Sequence, residues 1–334
     1  MRRFAVILLL FLCCRFAAAQ EFDPACWLSS LDDAIPVSSL SVPGTHDAAT
    51  GEGLRFAAGF GKTQALGLSA QWDCGVRAFD LRPAVDGGGL HIYHGPIKTR
   101  ISFADAMALI CGKLEKNPGE FAIVLLRNEG RDGAEWSSAV GETIESMGDR
   151  VAGFTPDMTV GDLRGKVLFL SRDIYSGCDR GAYITGWSHS QAGTTGGRAV
   201  PYGGGKAAHL NVQDFYNAKG EERQDAKALA VLKFLDLAGN ADDNTWTINF
   251  LSGYGNTWLG ITPFATSAGY KRNAERVNTL VLDRLSSFQA MVSAGILFMD
   301  FAGVDEVSGG IWHWGKFHVM GRSLVKRIIE INFR

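Results

Sequence analysis

The chain has 334 residues, 46% hydrophobic and 20% charged, which is enough apolar material for a sizeable core and excludes an intrinsically disordered chain. Its 41 glycines are scattered without a period, which excludes a collagen-like repeat and points to a loop-rich globular fold. With 33 basic against 35 acidic residues the net charge is −2, which excludes nucleic-acid binding through bulk positive charge.

Residues 1–19 read as a signal peptide. Arg2 and Arg3 precede the apolar run Phe4–Cys14, which suits an h-region and is too short to span a bilayer. Ala17-Ala18-Ala19 offers small residues for cleavage after Ala19. The expected product, residues 20–334, is a secreted single catalytic domain. Loss of three leader arginines leaves 30 basic against 35 acidic residues, a net charge of −5. Four cysteines remain, Cys26, Cys74, Cys111 and Cys178. An even number in an exported chain predicts one or two disulfides, with three full pairings open. None forms a CxxC pair, so a zinc site is not expected.

Strand-like apolar runs follow at Ser39–Val42, Val76–Leu81, Leu90–Tyr93, Phe121–Leu126, Lys166–Leu170, Leu210–Val212, Thr245–Leu251 and Gly295–Phe301. Helical stretches lie between them at Phe103–Lys116, Gly133–Ser146, Glu221–Ala238 and Arg272–Val292, and a last helix runs from about Gly315 to Ile331. Eight strands with intervening helices predict an α/β fold, a distorted, irregular TIM (β/α)8 barrel in one domain. Only seven residues, Pro83 to Gly89, separate Arg82 from Leu90. A parallel crossover needs a dozen or more, so a missing helix or a local hairpin is expected there. Ser171–His209 and Ser252–Tyr270 read as long loops on the active-site face.

Polar residues recur where strands end. Val42-Pro43 leads through a Pro-Gly turn to His46-Asp47. Asp80 and Arg82 share one face of their strand. His94 stands before a Gly-Pro breaker, whereas His91 faces the other way and reads as structural. Arg127-Asn128-Glu129, Ser171-Arg172-Asp173, Gln213-Asp214-Phe215-Tyr216 and Met299-Asp300 each close an apolar run. Together they define a polar ring at one barrel mouth. There is no HExxH, His-x-His, GxSxG or P-loop. Two histidines with a guanidinium suit metal-free phosphodiester cleavage. One imidazole removes a proton from the attacking hydroxyl and the other protonates the leaving oxygen, while the cation neutralises the phosphoryl oxygens.

Val42-Pro43-Gly44-Thr45-His46-Asp47, Phe79-Asp80-Leu81-Arg82 and His94-Gly95-Pro96, in that order, resemble the bacterial-type phosphatidylinositol-specific phospholipase C family. So do Lys166–Ser171 with Arg172, and Val212-Gln213-Asp214-Phe215-Tyr216. The pattern spans about Leu40 to Asp300. The resemblance implies a distorted TIM barrel that splits phosphatidylinositol between glycerol and phosphate. The inositol 2-hydroxyl is then the internal nucleophile, and diacylglycerol and inositol 1,2-cyclic phosphate are the products. It implies His46 as general base with Asp300 orienting it, and His94 as general acid with Asp47 as partner. Arg82 falls on the phosphate and Asp80 supports it. Arg172 and Asp214 fall on inositol hydroxyls, and Tyr216 under the ring. Arg127 stands where the family usually has lysine, which keeps the charge and changes the geometry.

Calcium-dependent relatives place a ligand where this chain has Arg82, and a guanidinium has no lone pair to give. No metal and no cofactor are therefore expected. Trp258, Phe264 and Phe60, with Phe56, Leu259 and Ile261, are candidates for an apolar rim that dips into a lipid surface; Trp187 and Trp312 are weaker ones. The expected partner is phosphatidylinositol or a glycosylphosphatidylinositol (GPI) lipid at a membrane surface, met by a monomer. The competing reading is a catalytically inactive inositol-lipid-binding protein on the same scaffold. A glycosidase would leave the two histidines and the arginine unexplained.

Overall fold

A computed structural model describes residues 22–55, 61–130, 132–254, 267–287, 293–309 and 315–333. The strands are β1 (Ser41–Thr45), β2 (Ala78–Leu81), β3 (Pro83–Asp86), β4 (Gly89–His94), β5 (Ile97–Ser102), β6 (Ala122–Leu126), β7 (Val167–Ser171), β8 (Ala182–Thr185), β9 (Thr194–Pro201), β10 (Ala208–Gln213), β11 (Thr245–Phe250), β12 (Gly295–Met299), β13 (Val307–Ser308) and β14 (Lys316–Phe317). The α-helices are α1 (Leu68–Asp73), α2 (Phe103–Lys116), α3 (Gly133–Ser146), α4 (Val160–Leu163), α5 (Glu221–Gly239), α6 (Ser267–Ser287) and α7 (Gly321–Ile331).

Nine strands close a barrel in the order β1-β12-β11-β10-β9-β8-β7-β6-β2. The runs Ala-Ile-Val-Leu-Leu of β6 and Gly-Ile-Leu-Phe-Met of β12 are buried throughout, as strands covered on both faces must be. All neighbours are parallel except β8–β9 and β9–β10. Helices pack outside. In α2, Phe103, Ala106, Met107, Ile110 and Leu114 form one buried stripe, and the Ser102 side chain caps the first turn by accepting from Asp105 N. Among the described residues no helix is long and apolar enough to cross a membrane.

The structure corrects several expectations. Leu90–Tyr93 is not a barrel strand. It lies in β4 of a separate antiparallel sheet, β3-β4-β5, so the local hairpin is the outcome at Pro83–Gly89. Gly87 and Gly88 both have positive φ (61° and 80°) between the paired Asp86 and Gly89, the geometry of a two-residue hairpin turn. The segment Ser171–His209 is not all loop. It supplies β8 and β9, which complete the barrel, and the Thr-Thr-Gly-Gly start of β9 hides the strand period. Pro43-Gly44 does not turn the chain but continues β1, opposite Leu297 and Phe298. The Pro43 carbonyl accepts from Arg77 N, and a Cβ on Gly44 would meet the Phe298 ring at 3.0 Å. The last helix starts at Gly321, because Lys316–Phe317 pairs with Val307–Ser308. The helix expected over Arg272–Val292 runs Ser267–Ser287, and 288–292 lie outside the described residues. Cys26, Cys74, Cys111 and Cys178 are all free; they lie in the 3-10 helix Pro24–Ser30, just after α1, in α2 and in the segment between β7 and β8. The leader also lies outside the described residues.

The far end of the barrel is closed by a buried ion pair. Arg77, just before β2, meets Glu120 at 2.7 Å, and both side chains are fully buried. Arg77 also stacks on Trp72 and donates to the carbonyls of Trp72, Val76 and Ala25. Glu120 accepts from Ser29 N and Oγ, which docks the N-terminal 3-10 helix Pro24–Ser30. Removing one partner strands the other charge in the core. Glu120→Ala is expected to cost about 3–5 kcal/mol in urea unfolding, and the double change Arg77→Met/Glu120→Leu clearly less.

Candidate active site

At the C-terminal mouth, β1, β2, β6, β7, β10 and β12 each end in a charged residue or pair of residues. Barrel closure brings these ends together, although His46 and Asp300 are 254 positions apart. His46 Nδ1 lies 2.8 Å from Asp300 Oδ1, and its Nε2 lies 3.0 Å from Asp47 Oδ2. The same Asp47 oxygen is 3.2 Å from His94 Nε2. Asp47 Oδ1 faces Arg82 Nε at 3.1 Å. Arg82 NH2 sits 2.7 Å from Asp80 Oδ2, which also accepts from Asp47 N. One carboxylate thus touches both histidines and the arginine. The sequence reading made Asp47 the partner of His94 alone. The structure places it between the two rings, whose centres are 6.2 Å apart.

The second nitrogens of the histidines have different partners. His94 Nδ1 lies 2.6 Å from the Gly61 carbonyl oxygen, which can only accept. Nδ1 therefore carries the hydrogen, and Nε2 is the position free to gain or lose a proton. Tyr270 Oη, 3.3 Å away, adds a polar contact to that Nε2. The ring of His46 meets Phe250 edge-on, and Phe250 stacks on Phe298 below.

A second cluster flanks the first. Asp214 Oδ2 accepts from Trp187 Nε1 at 2.9 Å and lies 3.0 Å from His189 Nδ1 and 3.5 Å from Arg172 NH1. The Arg172 guanidinium stacks on Trp187 at 4.2 Å. Tyr216 is 40% exposed at the opening, with its ring beside His189 and Tyr254. Arg127 pairs with Glu129 at 3.3 Å, and Glu129 also accepts from Gly95 N and faces Arg82 at 3.9 Å.

Burial dominates the proton equilibria. It drives His46 well below the ordinary histidine value, and the Arg82 charge pushes the same way. It raises Asp47 to about 6 against the pull of Arg82. It lifts Asp300 well above the carboxylate range, helped by the negative Asp47. Burial also opposes the charge of Arg82, but Asp47, Asp80 and Glu129 overcome it and hold the guanidinium protonated. At Asp214, burial is outweighed by the hydrogen bond from His189 and by Arg172, so the carboxyl is lowered.

His46, Asp47 and Asp80 each offer one ligand atom within 4.8 Å of the others, the nearest approach to a cation site among the described residues. The Arg82 guanidinium already engages both carboxylates, so these oxygens serve an arginine rather than converge on an ion. Trp187 belongs to the second cluster, with its indole N–H on Asp214 and its ring under Arg172. The rim candidates Trp258, Phe264, Phe60, Phe56, Leu259, Ile261 and Trp312 lie outside the described residues.

Sequence reasoning missed Tyr270, His189 and Gln64. Gln64 Nε2 donates to the carbonyls of His46 and Met299, both at 2.8 Å, and so clamps the ends of β1 and β12. Gln64 and His189 sit in irregular segments, where period gives no signal, and Tyr270 sits at the start of α6, a stretch that the sequence reading assigned to a loop. Lys227 was missed as well, although a lysine on the apolar stripe with Ala230, Val231 and Phe234 was visible.

The closed barrel has the fold of the bacterial phosphatidylinositol-specific phospholipases C. The Staphylococcus aureus enzyme, solved as a double mutant, superposes with a TM-score of 0.71 at 20% identity, over 92% of this chain and 97% of that one. The Listeria monocytogenes enzyme gives 0.66 at 22% identity, over 93% and 99%. In sequence, the chain is 32% identical over 156 residues to a 1-phosphatidylinositol phosphodiesterase of L. monocytogenes, covering 44% of this chain. The match spans 48% of that relative, about half its length. No protein-family model matches. The resemblance to this family is borne out by fold and by aligned sequence.

Asp47 links the site to stability. Native Asp47 keeps its proton to about pH 6, whereas the unfolded carboxyl releases it near its ordinary 3.8. Its stabilising contribution is therefore complete below the unfolded value and is lost as pH rises through about 6. Asp47→Asn is expected to raise stability at pH 8 by on the order of 1–3 kcal/mol and to give no advantage below about pH 4. Urea unfolding at both pH values measures the difference.

Proposed function

We propose that the protein is an exported phosphatidylinositol-specific phospholipase C that works without a metal ion. The observation that carries this reading is the placement of both histidine Nε2 atoms on one oxygen of Asp47, at 3.0 and 3.2 Å, with Arg82 on the other oxygen. The names of the relatives support the lipid. The basic, apolar leader supports export, and its absence from the mature enzyme would follow.

In this reading the phosphodiester lies against Arg82, with Arg127 nearby. His46 Nε2 takes the proton of the inositol 2-hydroxyl, and that oxygen attacks phosphorus. The bond from phosphorus to the glycerol oxygen breaks, and His94 Nε2–H gives its proton to that oxygen. Diacylglycerol and inositol 1,2-cyclic phosphate result. The tethered nucleophile avoids the entropic cost of recruiting water. Asp300 stabilises the imidazolium formed at His46, as a carboxylate behind a histidine base does. Arg172 and Asp214 hold inositol hydroxyls, and Tyr216 lies beneath the ring. Arg82 supplies at the phosphate the charge that calcium supplies elsewhere. The enzyme meets its lipid transiently as a monomer at a membrane surface. A solved S. aureus relative is described by the modulation of its membrane binding, which supports peripheral attachment. The same bond and nucleophile occur in GPI anchors.

Phosphorus NMR on phosphatidylinositol micelles with excess EDTA tests the reading. A cyclic-phosphate signal is expected, absent in His46→Ala and His94→Ala. Arg82→Lys is expected to lose on the order of 10²–10³ in turnover, because a point charge cannot replace the paired N–H groups. Product with calcium but not with EDTA would overturn the metal-free reading. Lipid binding without product would favour the inactive lipid-binding protein.

A further inference from the structure

Helix α5 turns an apolar face to the barrel, and one lysine stands in it. Lys227 is fully buried. Its Nζ donates to the Phe250 carbonyl at the end of β11 and to Gln213 Oε1, 3.2 Å away at the end of β10. Gln213 Nε2 in turn donates to the Phe250 carbonyl and to Asn249 Oδ1, both at 2.8 Å. Gln213 Oε1 also accepts from Phe215 N at 2.7 Å, next to Asp214. These partners are neutral oxygens, and a buried ammonium with only neutral partners is costly. A methionine would fill the same stem at less cost. What distinguishes lysine is the charge, and Asp214 and Asp300 are the mouth carboxylates that feel it.

We propose that Lys227 is a positioning residue for this site: its ammonium ties the ends of β10 and β11 together and sets a positive field behind Asp214 and the His46–Asp300 pair, favouring an anionic Asp300 and a neutral His46. Burial and Asp47 raise Asp300, and Lys227 is the first of the cations that oppose them. Burial, Arg82, His94, Lys227 and Arg127 together lower His46. Burial lowers Lys227 itself to about 7, while Asp214 and Asp300 pull it back up. The ammonium is therefore charged over the acidic range in which His46 takes up its proton.

The other charged groups around Lys227 are accounted for. On its own helix, Arg223 lies over the Phe215 ring, and Asp225 pairs with Arg276 of α6. Asp236 pairs with Arg284 of α6. Its neighbours on β10 and β11, Gln213 and Asn249, are neutral. Those facing His46 are Asp47, Asp300, Arg82, Arg127 and His94.

The role rests on reading His46 as the base, and its test needs no substrate. Lys227→Gln keeps a donor for the Phe250 carbonyl and removes the charge; Lys227→Met removes both. Carbon-13 NMR titration of the histidine rings, in the full chain without lipid, reads the His46 midpoint. We expect it to rise by roughly 0.5–1 pH unit in both variants. A folded Lys227→Gln protein with an unchanged midpoint would overturn the proposal, since a packing role is rescued by the amide. Should neither variant fold, titration of ε-13C-labelled lysine in the unaltered protein decides. Lys227 charged while His46 titrates supports the proposal, and Lys227 neutral across that range sinks it. A shifted midpoint in a protein that cleaves no phosphatidylinositol would leave this inference standing and remove the functional reading alone. In an active enzyme, the acidic limb of the kcat/KM profile should move upward with the midpoint.

Discussion

The arrangement of the mouth depends on one carboxylate. Asp47 has two oxygens, and three basic groups are fitted around them: His46 and His94 on one, Arg82 on the other. Its backbone is left-handed (φ 45°, ψ 50°), a conformation that costs a non-glycine residue about 1–3 kcal/mol. The strain is held by its neighbours. Asp47 N donates to Asp80 Oδ2, and its carbonyl accepts from Thr50 N at the first turn of the following 3-10 helix. The left-handed step takes the chain out of β1 and into that helix immediately after His46. Two consecutive residues then serve the site, which an extended strand would point to opposite faces.

The barrel sorts its buried charges by end, and the two ends differ in kind. Around β2, Arg77 lies at one end and Asp80 with Arg82 at the other. Arg77 and Glu120 have neighbouring donors and acceptors for nearly every polar atom, among them the carbonyls of Pro24 and Ala25 and the amides of Leu28 and Ser29. That pair is a lock, sealed from solvent. At the mouth, Asp47, Asp80 and Glu129 crowd around Arg82, Asp300 stands behind His46, and the histidine side chains retain 10–14% exposure. Crowded acids raise one another's proton affinity, and burial adds to it. Such frustration is destabilising, and it persists where groups must exchange protons.

The parts of this architecture legible in sequence were those with strong local rules. The helices Phe103–Lys116 and Gly133–Ser146 are found at the residues that their apolar period marked, because each has a clear stripe and a side-chain N-cap. Continuous apolar runs marked the parallel core strands. The residues gathered at the mouth were visible because each follows such a run directly. Three kinds of feature were not visible. The β3–β4 hairpin depends on Gly87 and Gly88 adopting positive φ, which spacing hinted at without choosing between a hairpin and a lost helix. Strand β8 is only four residues long and β9 opens on Thr-Thr-Gly-Gly, so the pairing of both is decided by their neighbours. Contacts such as Tyr270 to His94 and His189 to Asp214 join segments far apart in the chain, and no local period records them. The free cysteines follow the same logic, since pairing depends on proximity that parity does not reveal.

The two histidines are chemically unequal, and their outer partners explain why. A carbonyl behind His94 fixes which nitrogen carries hydrogen but adds no net charge. A carboxylate behind His46 does both. Burial and the guanidinium keep His46 free of a second proton at rest, which suits it to start as the base in the proposed reaction. Once a proton arrives, the same Asp300 stands 2.8 Å from the other nitrogen to stabilise the cation. A group that is neutral before the step and stabilised after it has its proton affinity rise as the reaction proceeds, which is what proton abstraction from an alcohol demands. In the proposed reaction, the asymmetry between a carbonyl and a carboxylate is what would divide the labour between two otherwise identical side chains.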